Sequence, residues 1–135
     1  MDVLDTYLER YKETPFKWSK FDCTTFIISY IDDMYGTTLL RSSVEGRYSD
    51  FRTAVAYALS SGKEWLYVES ELPTQTVKIG NLQRGDLVCY SYECWNPMAV
   101  MVDDYRVAVV TIKNGLEITP LHNLQGVVKI IRVKE

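Results

Sequence analysis

The chain changes its hydrophobic grammar once, near residue 65, and that change restricts the fold more than any other feature. Before it, apolar residues recur at intervals of three and four, the period of an amphipathic helix. After it, short β-branched and aromatic runs alternate with turn formers. Helices first and strands afterwards predict an α+β fold in which N-terminal helices pack on an antiparallel meander sheet. A chain of 135 residues is long enough for one domain with an ordinary core, so residues 1–135 read as a single unit.

Three helices are expected. Val3, Leu4, Tyr7, Leu8 and Tyr11 share one face of a helix over 2–12. Asp22 stands as N-cap of a second, whose stripe of Cys23, Phe26, Ile27, Tyr30, Ile31 and Met34 runs to Gly36 and predicts burial along one face. Ser49 or Asp50 caps a third, with Phe51, Ala54, Val55, Ala58 and Leu59 inward and Gly62 past its end. Between the first two, Pro15, Phe16, Trp18 and Phe21 read as a loop pinned by large side chains. Strands are expected at Trp65–Val68, Leu87–Tyr92, Met98–Val102, Arg106–Ile112, Leu116–Thr119 and Val127–Val133. Asn114-Gly115 supplies the positive φ values of a type I′ hairpin turn.

Composition removes several classes of function. Hydrophobic residues at 47% and charged residues at 24% are ordinary globular values, which excludes a disordered chain. Fifteen basic against eighteen acidic residues, spread over both halves, leave no basic footprint for nucleic acid. No apolar run approaches the length of a membrane span. Three cysteines (Cys23, Cys89, Cys94), a single histidine (His122) and no secretory leader pattern predict reduced thiols, no metal site and no cofactor.

Cys23 is the most informative residue for chemistry. At the first turn of a helix, backbone N–H groups and the helix dipole favour a thiolate, which is a nucleophile's position, while the adjacent Asp22 opposes ionisation. The same residue also begins an apolar stripe, and an inert buried thiol is the commoner use of such a cysteine. A cysteine hydrolase needs a base, and His122 follows Pro120 in what reads as a solvated turn. Gly80 to Gly85 has phosphate-loop glycine spacing, but Asp86 stands where lysine is required. Asp103-Asp104 reads as a turn rather than a carboxylate pair, and the ten tyrosines are partly core and partly the composition that interfaces favour.

The order of segments resembles the NlpC-type branch of the papain-like cysteine peptidases. An aromatic loop precedes Phe21-Asp22-Cys23, which opens a helix, and Asn81-Leu-Gln-Arg-Gly-Asp-Leu-Val88 introduces a strand. More narrowly, Trp18 to Cys23, Val44 to Ser49, Arg84-Gly-Asp86 and Gly115 to Pro120 resemble short phage-encoded NlpC-like proteins found among tail-assembly genes, over about residues 14–133. The resemblance implies a papain-like fold with Cys23 as the nucleophile position. It also implies that the histidine position is taken by Met98, and that the polar residue orienting an imidazole falls at Val109 or Val110. A thioether takes up no proton at neutral pH, so the triad fails at two positions of three. The implied function is a structural tail-assembly protein that docks on tail hub or tail-tip proteins in the virion. Its alternative is an active peptidase or amidase that cuts peptidoglycan as the phage genome enters the host, with a generic binding module as a third reading.

Overall fold

Asp22 starts the element around which the rest is arranged. The computed structural model describes residues 2–36, 46–61, 68–69, 72–91 and 97–134. Helix α1 spans Val3–Tyr11, α2 Cys23–Tyr35 and α3 Phe51–Ser61. The Asp22 side chain accepts from the Thr24 and Thr25 N–H groups, and Thr25 Oγ1 accepts from the Asp22 N–H, a closed capping box. Gly36 ends α2 in the left-handed region at φ 68°, where its N–H donates to the Asp32 carbonyl. Asp50 rather than Ser49 caps α3, because its Oδ1 accepts the Thr53 N–H at 2.8 Å. The side chains of Val55, Ala58 and Leu59, and the whole of Gly62, lie outside the described part.

Six antiparallel strands form one sheet: β1 Thr74–Thr76, β2 Leu87–Cys89, β3 Met98–Met101, β4 Arg106–Thr111, β5 Gly115–Pro120 and β6 Lys129–Val133. Their order, β1-β6-β2-β3-β4-β5, corrects the expectation of a simple meander. Strands β2 to β5 do meander, but β6 returns across the sheet to lie between β1 and β2, pairing Leu87 with Ile131 and Thr76 with Ile131 on its two sides. Strand β1 has no signal in the sequence. Thr-Gln-Thr is too short and too polar to carry a period, and it exists as an edge because β6 offers a partner.

The expected strand ending at Val68 is also corrected. Val68 and Glu69 are helical, and the Leu72 N–H donates to the Val68 carbonyl at 3.0 Å, while residues 65–67 lie outside the described part. A short apolar run has no period of its own, so a fully buried valine fits either element. Strands β2 and β6 are shorter than expected: Tyr90 lies past the end of β2, and Val127 and Val128 are exposed ahead of β6. The β4–β5 hairpin is present, but its turn is Ile112–Asn114, closed by the Thr111–Gly115 pair, with Gly115 alone at positive φ (68°). A two-residue type I′ turn would need positive φ at Asn114 as well; this is the three-residue loop with a left-handed closing glycine.

Helix α2 is buried nearly all round instead of along one stripe. It lies between α1 and the sheet, where it packs on β3 and β4. Phe26, Ile27, Ile28, Tyr30 and Ile31 are each at most 1% exposed, and burial of each such side chain stabilises by about 1.5–3 kcal/mol. Tyr7 of α1 donates its hydroxyl to the Phe26 carbonyl at 3.0 Å and packs its ring on Phe26 and Tyr30. Val3, assigned inward by its spacing, is exposed instead, as is Phe51 on α3. On the sheet, Met98 and Val100 face the helices, whereas Ala99 and Met101 join a second apolar layer with Val77, Val88 and Val107, over which Leu82, Leu121 and Leu124 pack. Every residue of β3 is therefore buried, which is why Met98–Met101 reads as a continuous apolar run.

Candidate functional site

The loop before α2 aims its N-terminus. Phe21 is buried beneath Tyr11 and Phe26, with ring centroids 5.2 and 5.9 Å away, and Lys17 and Phe21 pair backbone to backbone. This forces Ser19 into the left-handed region at φ 65°, a conformation costing about 1–2 kcal/mol for a residue with a Cβ. Ser19 is held there by donating its N–H to Asp22 Oδ2 at 2.8 Å, and its Oγ accepts the Gly46 N–H.

Asp22, 1% exposed, is the junction of this corner. One carboxylate oxygen accepts from the Thr24 N–H, the Thr25 N–H and the Thr25 hydroxyl, and the other from the Ser19 N–H and the Tyr48 hydroxyl, the last at 2.5 Å. Both oxygens are thus engaged in holding the helix terminus, which makes Asp22 a positioning group and not a proton acceptor for Cys23. The same capping takes up the Thr24 and Thr25 N–H groups, so neither is directed at a bound oxyanion. Tyr48 carries little signal by itself, but it lies in the segment 44–49 that the family resemblance singles out.

Cys23 itself is half-buried and lines a cleft of about 570 Å³ at the start of α2. Phe16 and Trp18, in an edge-to-face pair with centroids 4.8 Å apart, belong to its wall. Tyr90 and Ser91 after β2, the stretch 109–112, and Glu117 and Thr119 of β5 complete much of the rest, together with residues 123–125. Among the described residues, the acidic or basic groups in this lining, besides the thiol, are the Tyr90 phenol and the Glu117 carboxylate. Neither carries a signal in the sequence, since a lone Glu on an edge strand has no spacing pattern.

The residues considered from the sequence fall as follows. Met98 lies on the helix-facing side of β3, 1% exposed, opposite Cys89 of β2. Val109 and Val110 are buried on β4, pointing to opposite faces of the sheet, and both border the cleft. His122 sits in the 3₁₀ turn Leu121–Asn123, exposed, and is absent from the lining. Cys89 is buried within β2, and Cys94 lies outside the described residues. Asp103 closes the β3–β4 turn, accepting the Tyr105 and Arg106 N–H groups and the Arg106 guanidinium, which fits the turn reading of Asp103-Asp104.

The Arg84-Gly85-Asp86 segment has structural work. Arg84 grips Asp2 through Nε and Nη2 at 2.8 Å each, reaches Asp5 at 2.6 Å, and donates to the Val102 carbonyl, which ties α1 to the β3 end. That guanidinium, followed by the Asp5 N–H, holds the Asp2 carboxyl well below the usual carboxylate range. Gly85 turns the chain at φ 91°, and buried Asp86 accepts the Gln83 N–H and a two-pronged contact from Arg132 at 2.6 and 2.8 Å. The carboxylate that rules out a phosphate loop is therefore a buried ion-pair partner.

Among the described residues, no group of three His, Cys, Asp or Glu side chains is placed to hold a metal ion, and no helix is long and apolar enough to cross a membrane. No curated protein matches the chain. A family profile covers residues 1–130, and the chain accordingly belongs to the DUF6950 family, described as a domain of unknown function.

Proposed function

We propose that the protein is a papain-like domain of NlpC type whose catalytic apparatus is degenerate, and that it serves as a structural component of phage tail assembly, bound to tail hub or tail-tip proteins in the virion. The observation that carries the degenerate half is the lining of the cleft at Cys23: among the described residues it contains a thiol, a phenol and a carboxylate but no imidazole. With Met98 buried in the core and the protein's single histidine exposed on a turn outside the cleft, no imidazole lines the cleft to take the thiol proton and return it to a departing amine. That service typically contributes about 10²–10⁴ in rate. A nucleophile at a helix N-terminus, against an antiparallel sheet, supports the papain-like assignment. The tail role is supported by the segment order shared with phage proteins of that kind.

One observation favours the alternative of an active peptidase: Cys23 borders an open cleft instead of being sealed in the core. The deciding experiment incubates purified protein and Cys23→Ala with peptidoglycan sacculi, and in parallel asks whether phage carrying Cys23→Ala assembles tails that contain the protein. Expected are no released muropeptides from either protein and normal tails in both phages. Cys23-dependent release would establish the peptidase, and absence of the protein from purified virions would overturn the structural role.

A further inference from the structure

We propose that β5 pairs edge to edge with β5 of a second copy of this chain, antiparallel and centred on Ile118. The proposal is independent of the assembly reading, since it rests on the backbone at one edge of the sheet. Strand β5 is the last of the six, and among the described residues no strand lies on its outer side. The Leu121 N–H donates to the Tyr105 carbonyl at 2.8 Å, which continues the β4–β5 register one pair beyond Arg106 and Pro120. Antiparallel pairs alternate between hydrogen-bonded and non-bonded, so Glu117 and Thr119 turn their backbone groups to β4. Those of Leu116 and Ile118, and the Pro120 carbonyl, point outward. The Val102 N–H bonded to the Arg106 carbonyl agrees, because Arg106 then faces β3 and not Pro120.

Sheets blunt such edges by shortness, charge or proline, and the opposite edge conforms: β1 is three polar residues after Pro73. Strand β5 is six residues long, and its Ile118 side chain is 50% exposed. Ile118 stands opposite Ala108, on the side of the sheet that carries α2; that helix packs on β3 and β4, and Ile118 lies one strand beyond. The residues of β5 also choose the register of a twofold pair. Centred on Glu117, two carboxylates would face each other at about 4.5 Å between Cα atoms, a destabilising like-charge pair. Centred on Thr119, Ile118 would meet Pro120, whose missing N–H leaves one bond where a pair makes two. Centred on Ile118, the two Ile118 residues exchange both bonds, each Leu116 N–H meets the partner's Pro120 carbonyl, and Glu117 faces the partner's Thr119. The edge is thus complementary to itself, which selects a second copy as its occupant.

The test is sedimentation velocity of the intact protein from micromolar to millimolar concentrations, where the sedimentation coefficient is expected to rise toward that of a dimer. Ile118→Lys and Ile118→Glu each set like charges opposite one another and should weaken self-association by at least about fivefold, the size of one cross-strand pair. Mixing the two variants should restore it, because the register centred on residue 118 then sets Lys against Glu. In the unsubstituted protein, hydrogen exchange of the Leu116 and Ile118 amides should slow as concentration rises, while that of Glu117, already bonded to β4, should not change. A monomer at every concentration, the outcome if the edge instead serves an extended segment of another protein, would overturn the proposal. So would undiminished association of either variant, a mixture no stronger than its components, or exchange at Leu116 and Ile118 that ignores concentration.

Discussion

Replacing Asp22 removes the junction that aims the start of α2, and its cost follows from the five hydrogen bonds it accepts. Loss of an N-cap costs about 1 kcal/mol. Asp22→Ala also removes the acceptor that the Ser19 N–H and the Tyr48 hydroxyl share in a buried corner, at about 1–2 kcal/mol each. The expected total for Asp22→Ala is about 3–5 kcal/mol, near the upper end for single substitutions. Asp22→Asn keeps the shape but presents an amide nitrogen to donors on one side, for about 2 kcal/mol, and Tyr48→Phe removes one donor while Ser19 still satisfies that oxygen, for about 1 kcal/mol. Urea unfolding of the three variants, with linear extrapolation, measures the series, and thermal melts should fall by roughly 10–20 °C for Asp22→Ala. A cost below about 1 kcal/mol for Asp22→Ala, or a Tyr48→Phe cost equal to it, would refute the assignment of the carboxylate as the junction.

Two further outcomes are expected besides those of the function and edge-pairing experiments. Gly115→Ala should destabilise by about 2–4 kcal/mol in the same urea assay. Its φ of 68° is costly for alanine, and a Cβ there would stand 2.5 Å from the Thr14 carbonyl oxygen, which is backbone and cannot swing aside. The Arg84 clasp predicts an acid-sensitive increment. Because the folded Asp2 carboxyl is lowered, its contribution is complete above the unfolded value of about 4 and is lost as the pH falls below it. Both partners are partly exposed, so the increment should stay under about 1 kcal/mol, and Arg84→Gln should abolish it when stability is compared at pH 6 and at about pH 3.

Local signals were legible where the chain's own neighbours enforce them. Asp22 followed by Thr25, and Gly36 after Tyr35, bound α2 because caps act over three or four residues. The hairpin at Gly115 was legible for the same reason, but its turn type was not. Whether one or two residues take positive φ depends on the register of Thr111 with Gly115 and on the Thr14 backbone lying against it. At the site, position could be read for Cys23 but surroundings could not. Glu117 and Tyr90 border the cleft only because the folded sheet brings β5 and the end of β2 into one wall with the start of α2.

The α+β order of elements, the start of α2 at Cys23, the Asn114-Gly115 hairpin and the apolar run of β3 are written in the chain, since each rests on period, capping or turn chemistry within a few residues. Long-range packing sets the rest: β6 crosses to lie between β1 and β2, Thr74–Thr76 is a strand, Val68 is helical, and α2 is covered on two sides. Those outcomes depend on which distant surface an element is offered, and Thr-Gln-Thr becomes β1 solely because residues 131–133 supply the hydrogen bonds its backbone needs.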